Sequence, residues 1–166
     1  MLDMIWWIMT QSSDIHEFSG EHRWLSNFWI LEEEYWVWHL GVKFRTVEHA
    51  YQFAKLVKDK DRTEAIHLFA SCTPGQAKRF PRGKTIDPTW NDIKTNIMQT
   101  LVTQKFQDPK LRKMLIATGN VLIVEGNTWH DNYWGACKCK KCEKHANYNH
   151  LGRIIMDVRT GIGFRQ

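Results

Sequence analysis

Residues 46–57, TVEHAYQFAKLV, limit the possible folds more than any other stretch, because as a helix they leave almost no face for water. At about 100° per residue, Val47, Ala50, Tyr51, Phe53, Ala54 and Leu56 cover most of the wheel. Glu48, Gln52, Lys55 and Asp59 share one narrow polar stripe. A helix that is apolar on most sides must be wrapped by other elements, so this one is expected to be central. Its stripe then faces either solvent or a cleft, and spacing leaves both open. Glu48 falls in the first turn, where the helix dipole favours an ionised carboxylate. Such a group suits developing positive charge better than it suits a general acid, which needs a raised pKa.

Enough chain surrounds this segment to do the wrapping. The 166 residues amount to one domain with a real core, and 43% apolar with 25% charged residues exclude a disordered chain. Before it, Phe28–Arg45 reads as strands: FWIL, then Glu32–Glu34, then YWVWHL and VKFR, with Gly41 as turn or bulge. After it, Thr73-Pro74, Asp87-Pro88 and Asp108-Pro109 each set a capping residue before a proline at the first helical position. The second start opens the longest helix, with Trp90, Ile93, Ile97, Met98, Leu101 and Phe106 as its apolar stripe. Gly119 stops the third, VLIVE is a buried strand, and Asn149 caps a last helix carrying Leu151, Ile154, Ile155 and Val158. The expected fold class is α+β: a helix-rich single domain with a small β-sheet.

Net charge +5 favours anionic partners, phosphates or nucleic acid among them. Nine tryptophans are the compositional oddity: some belong to the core, and Trp is also a flat surface on which bases can stack. MLDMIWWIM is too short to span a bilayer and has neither the basic front nor the cleavage site of a signal peptide. An intracellular, cytoplasmic protein with no membrane partner is therefore expected.

Cys137, Cys139, Cys142 and His145 place four soft ligands within nine residues, an inventory that zinc accepts. Cys-x-Cys, however, leaves little chain for a tetrahedral wrap. A structural zinc and a basic loop of reduced thiols both remain open, with the spacing favouring the thiols. Lys138, Lys140, Lys141 and Lys144 beside them form either a guide for phosphate or a solvated surface.

Six segments occur in order: LSNF (25–28), TVEHAYQFAKL (46–56), DPTW (87–90), IMQTLVTQKF (97–106), LIVEGNTWHDNYWG (122–135) and NHLGRIIMDVR (149–159). Together they resemble the NADAR family, named for its link to NAD and ADP-ribose metabolism. The resemblance assigns 18–166 to a NADAR-like N-glycosidase domain and 1–17 to an N-terminal extension or edge strand. It implies hydrolysis of a C1′–N bond between a ribose-phosphate and a base-like leaving group. Members include N-glycosidases of riboflavin-biosynthesis intermediates and hydrolases that remove ADP-ribose from guanine in DNA. By position it carries over Glu48 and Asp131 as catalytic residues and Trp90 as a stacking surface, although Trp90 also suits the core. Asn27, Gln52, Lys55, Arg82, Tyr133, Trp134 and Asn149 are further substrate-binding candidates. Ser26-Asn27 equally makes a plain turn, and PRGK (81–84) an exposed basic loop. The reaction needs water and no redox cofactor, and any zinc is structural. The implied partner is an ADP-ribose or ribose-phosphate substrate, free or on DNA. Readings from other classes are a non-catalytic ADP-ribose sensor and a zinc-stapled nucleic-acid-binding module.

Overall fold

The computed structural model describes residues 13–163, which fall into two compact units: 25–108, and 13–24 together with 109–163. The architecture is helix-rich α+β with two small two-stranded sheets among the described residues. The expectations for MLDMIWWIMTQ lie outside those residues. No described helix is long and apolar enough to cross a membrane.

In the unit 25–108, the apolar segment forms α1 (Val47–Ala54), and all eight of its residues are buried. Thr46 caps it, its side chain accepting from His49 N. The helix ends at Ala54, so Asp59 does not continue its stripe. Asp59 instead opens a second helix, α2 (Asp59–Phe69), where an acidic first turn suits the dipole. Around α1 pack a hairpin, β1 (Val37–His39) with β2 (Val42–Phe44), then α3 (Pro74–Arg79) and the long α4 (Trp90–Lys105). Leu40 and Gly41 both have positive φ, the backbone of a two-residue hairpin turn whose twist matches its strands. Much of the expected strand at 28–36 is absent, and Glu33–Tyr35 is a 3₁₀ turn. The three consecutive glutamates there cannot alternate between a buried and a solvated face.

Thr73 caps α3 through a full capping box with Gln76. At Asp87-Pro88 the helix begins two residues late. The Asp87 carboxylate accepts from both the backbone and hydroxyl of Thr89, forming a turn that delivers Trp90 to the first helical position. The bridge Leu56–Ile86 and the bond from Asp87 N to Lys55 O tie this turn to the end of α1. Gln104 of α4 makes two hydrogen bonds to the backbone of Trp38, which locks the hairpin to the helix.

In the other unit, α5 (Pro109–Ala117) ends before Gly119, whose φ of +58° stops it as expected. The VLIVE segment is extended, with Ile123 bridged to Ile15, but it joins no named strand. β3 (Gly126–Asn127) and β4 (Ala136–Cys137) pair in parallel. The final helix, α6 (His150–Gly163), buries Leu151, Ile154, Ile155 and Val158. Its start is closed by main chain, since Tyr133 O and Trp134 O accept from His150 N and Leu151 N. That displaces the cap expected from Asn149, whose side chain bonds instead to Glu125 N and Ile123 O. Gly152 allows this close approach, since a Cβ there would lie 2.2 Å from Ile123 O.

Candidate active site

Burial removes one of the two readings of the α1 stripe. Glu48 is 6% exposed and Gln52 is 3% exposed, so the stripe is not a solvated face. Gln52 Nε2 donates to Glu48 Oε1 at 2.7 Å, which fixes the carboxylate one helical turn from its backbone-tethered start. Glu48 N in turn donates to Asn27 O at 3.0 Å, bringing the SNF turn against the first turn of the helix. Asn27 is itself buried.

Two atoms of this cluster are unusual. Asn27 Oδ1 and Gln52 Oε1 are buried acceptors that receive no hydrogen bond among the described residues. Leaving such an oxygen unpaired costs about 1–3 kcal/mol, so native proteins seldom retain one without a use for it. Both belong to residues that the sequence marked as substrate-binding. Ligand hydroxyls and N–H groups are the natural donors to such oxygens.

Next to the carboxylate stands an aromatic corner. Tyr51 and Trp90 meet at 5.0 Å between ring centroids, tilted by 59°, and Lys55 Nζ lies 4.9 Å from the Tyr51 ring and 5.6 Å from the Trp90 ring. Trp90 is only half-buried, so it is not the core residue that its place in the apolar stripe also allowed. Burial lowers the pKa of the Lys55 ammonium, the nearby Glu48 charge raises it, and Lys78 and Lys94 lower it again. Lys78 and Lys94 are therefore close enough for Lys55 to feel their charge. Sequence reasoning missed Lys78, Lys94 and Tyr51. The lysines come from α3 and α4 and show no shared spacing with Lys55, whereas Tyr51 was assigned to the buried face.

Arg82 is exposed on the turn after α3. Its neighbour Lys84 is held by Glu64 at 2.6 Å and Asp61 at 3.3 Å, which engages one of the two cations that the PRGK turn was expected to offer a phosphate.

In the unit that contains α6, Asp131 Oδ1 accepts from Tyr133 N and Trp134 N, and Asn127 clasps its backbone on both sides. One carboxylate oxygen thus holds the turn. Tyr133 and Trp134 pack edge to face at 4.9 Å, and Tyr133 meets the ring of His150 at 4.3 Å. The two polar groups of the Asn149 side chain are engaged with the 123–125 segment, which leaves less of it for a ligand than the sequence suggested.

The cysteine loop corrects the expected donor set. Ligand atoms of His130, Cys137, Cys139 and Cys142 lie within 4.8 Å of one another, a group that could hold a metal ion. His145 is not part of it. Its backbone N–H bonds to Cys142 O, and it lines an open depression with Asn132 and Lys141. His130 takes its place because a left-handed backbone, φ +70°, turns its ring toward the cysteines. All four cysteines are free thiols.

Comparison with known proteins sets these features in a family. A family model described as the NADAR domain matches residues 14–163, a span that includes both units. The chain is 36% identical over 135 residues to an N-glycosidase of Nostoc punctiforme, covering 80% of this chain and 78% of that protein. The NMR structure of the E. coli protein YbiA matches with a TM-score of 0.73 at 27% identity, covering 94% of this chain and 88% of that one.

Proposed function

The chain belongs to the NADAR family, and on that premise we propose that it is an N-glycoside hydrolase with Glu48 as its catalytic carboxylate. The observation that carries the reading is the Glu48–Gln52–Asn27 cluster: a buried, oriented carboxylate flanked by two buried acceptors without donors. The kinship to an N-glycosidase at 36% identity supports the reaction class.

The chemistry follows from the groups present. As the C1′–N bond lengthens, its electron pair moves to the base nitrogen and the ribose acquires oxocarbenium character. A carboxylate fixed beside that carbon is worth most in the transition state, because the positive charge exists only there. Water then adds to C1′ and gives up a proton, with Glu48 orienting it and accepting that proton. The leaving nitrogen takes up one proton from solvent and Glu48 returns its own to solvent, so the products are the ribose-phosphate with a C1′ hydroxyl and the neutral base with an N–H. Gln52 keeps the carboxylate from rotating away, while the ribose hydroxyls donate to Asn27 Oδ1 and Gln52 Oε1. Trp90 and Tyr51 supply a stacking surface, and Lys55, Lys78 and Lys94 supply the field for a phosphate. Asp131 is the second carboxylate that the family resemblance implies.

ADP-ribosylated guanine in DNA is the substrate placed first, because the net charge of +5 suits a polyanion. A ribosylamino-pyrimidine phosphate is the small-molecule alternative. Incubating the protein with each and separating the products by chromatography distinguishes them. Release of ADP-ribose from the DNA, with the pyrimidine phosphate left intact, supports the first. Release from the pyrimidine alone moves the function to metabolite hydrolysis. Binding to either without release makes the protein a sensor and refutes the hydrolase reading for these substrates.

A further inference from the structure

We infer that His130, Cys137, Cys139 and Cys142 form a structural zinc site that fixes the Asp131–Trp134 turn. The inference is independent of the reaction proposed above. Its basis is convergence. His130 Nδ1 lies 3.2 Å from Cys139 Sγ and 3.3 Å from Cys142 Sγ, and the Cys137 sulfur completes a group spanning at most 4.8 Å. A single imidazole nitrogen carries one lone pair or one proton, so it cannot serve two thiols equally well. A metal ion at the centre of the group serves all four. With Zn–S near 2.3 Å and Zn–N near 2.0 Å, a tetrahedral site sets nitrogen and sulfur about 3.5 Å apart and two sulfurs about 3.8 Å apart. The distances found are within a few tenths of an ångström of the first figure.

The local backbone answers the difficulty posed by Cys-x-Cys. Cys137 ends β4, and Cys142 N bonds to Cys139 O in a 3₁₀ turn, so that the three sulfurs come from two differently directed pieces of chain. His130 arrives from a third, the left-handed residue seven positions before Cys137. Cys137 and Cys142 are buried, as the inner ligands of a closed site should be. Three thiolates with a divalent ion carry one net negative charge, and Lys138, Lys140, Lys141 and Lys144 on the same segment offset it. With four protein ligands, no coordination position remains for water or substrate, so the ion holds structure and performs no chemistry. What it holds is specific. His130 adjoins Asp131, whose carboxylate orders the turn, and the carbonyls of that turn close the start of α6.

The test is metal stoichiometry on the full chain, purified from zinc-supplemented medium and passed through a desalting column. About one zinc per chain is expected in the wild type and in His145→Ala. Cys139→Ser with Cys142→Ser should lose it, and His130→Ala should bind zinc at least about tenfold more weakly. Removing zinc from the wild type with a chelator should lower its melting temperature, and returning zinc should restore it. Cobalt-loaded wild type provides a readout that does not depend on the folding of His130→Ala: intense thiolate charge-transfer and tetrahedral ligand-field bands support the site. Weak octahedral bands overturn it, as does a wild type that retains no zinc or a double cysteine variant that retains as much. Loss of zinc in His145→Ala with retention in His130→Ala overturns the donor set.

Discussion

His49 follows the proposed catalytic Glu48 in α1, and its buried ring is held between a hydroxyl and a main-chain carbonyl. Nδ1 lies 2.7 Å from Thr46 Oγ1 and Nε2 3.2 Å from Cys72 O. The neutral ring satisfies both contacts, with Nε2–H donating to the carbonyl and the threonine hydroxyl donating to Nδ1. Burial is the main cause of a pKa lowered from 6.5 to about 4; the Cys72 carbonyl opposes the shift and the Arg45 charge assists it. The unfolded chain therefore takes up this proton first. The contribution to stability is complete above pH 6.5 and is lost progressively as the pH falls to about 4. Denaturant titrations should show a loss of about 1–2 kcal/mol across that window, and His49→Gln should flatten it. A wild-type profile no steeper than that of the variant would refute the assignment. Asp131 gives a second test at this scale. Asp131→Ala removes the acceptor for two backbone N–H groups and should cost about 1–2 kcal/mol. Asp131→Asn keeps an acceptor and should retain most of that stability. If its turnover nevertheless falls, the negative charge itself is used, and equal thermal losses in both variants would contradict the turn-fixing role.

At the scale of elements, α4 does more than its apolar stripe suggests. Lys105 is 1% exposed, and its ammonium donates to Leu25 O and Ser26 O, the two carbonyls that precede Asn27. The long helix thereby positions the SNF turn, which in turn receives Glu48 N. Lys105→Met preserves bulk but leaves both carbonyls short of a charged donor. Chemical denaturation should register a loss of about 2–4 kcal/mol. An unchanged midpoint would show that the ammonium does no such holding. Lys105 was illegible in the sequence, where a lysine in the last turn of a helix reads as a solvated group answering the dipole. The elements themselves were more legible. The cap at Thr73, the helix start at Pro109, the stop at Gly119 and the burial of α1 all follow from local chemistry that neighbours reinforce. The late start of α4, the end of α1 at Ala54 and the main-chain closure of α6 depend on distant backbone, and periodicity cannot report that.

Over the whole molecule, the site was legible unevenly. Glu48, Gln52, Lys55 and Trp90 were named from the stripe and the family resemblance, and the structure sets them around one buried carboxylate and one aromatic corner. Lys78 and Lys94 escaped notice because their proximity to Lys55 is created by the packing of three helices. The place of His130 beside the cysteines, where sequence distance pointed to His145, has the same origin, since a left-handed turn brings it there. The central claim concerns Glu48, and the most direct measurement is the rate of C1′–N cleavage by wild type and Glu48→Gln, quantified by liquid chromatography and mass spectrometry as ADP-ribose released from ADP-ribosylated guanine DNA and as free base released from the ribosylamino-pyrimidine phosphate. Release from at least one substrate is expected in the wild type. In a Glu48→Gln variant that still folds and binds, it should fall by about 100- to 1,000-fold, the scale on which one preorganised charge acts in a transition state. A variant that turns over that substrate as fast as the wild type would contradict the account.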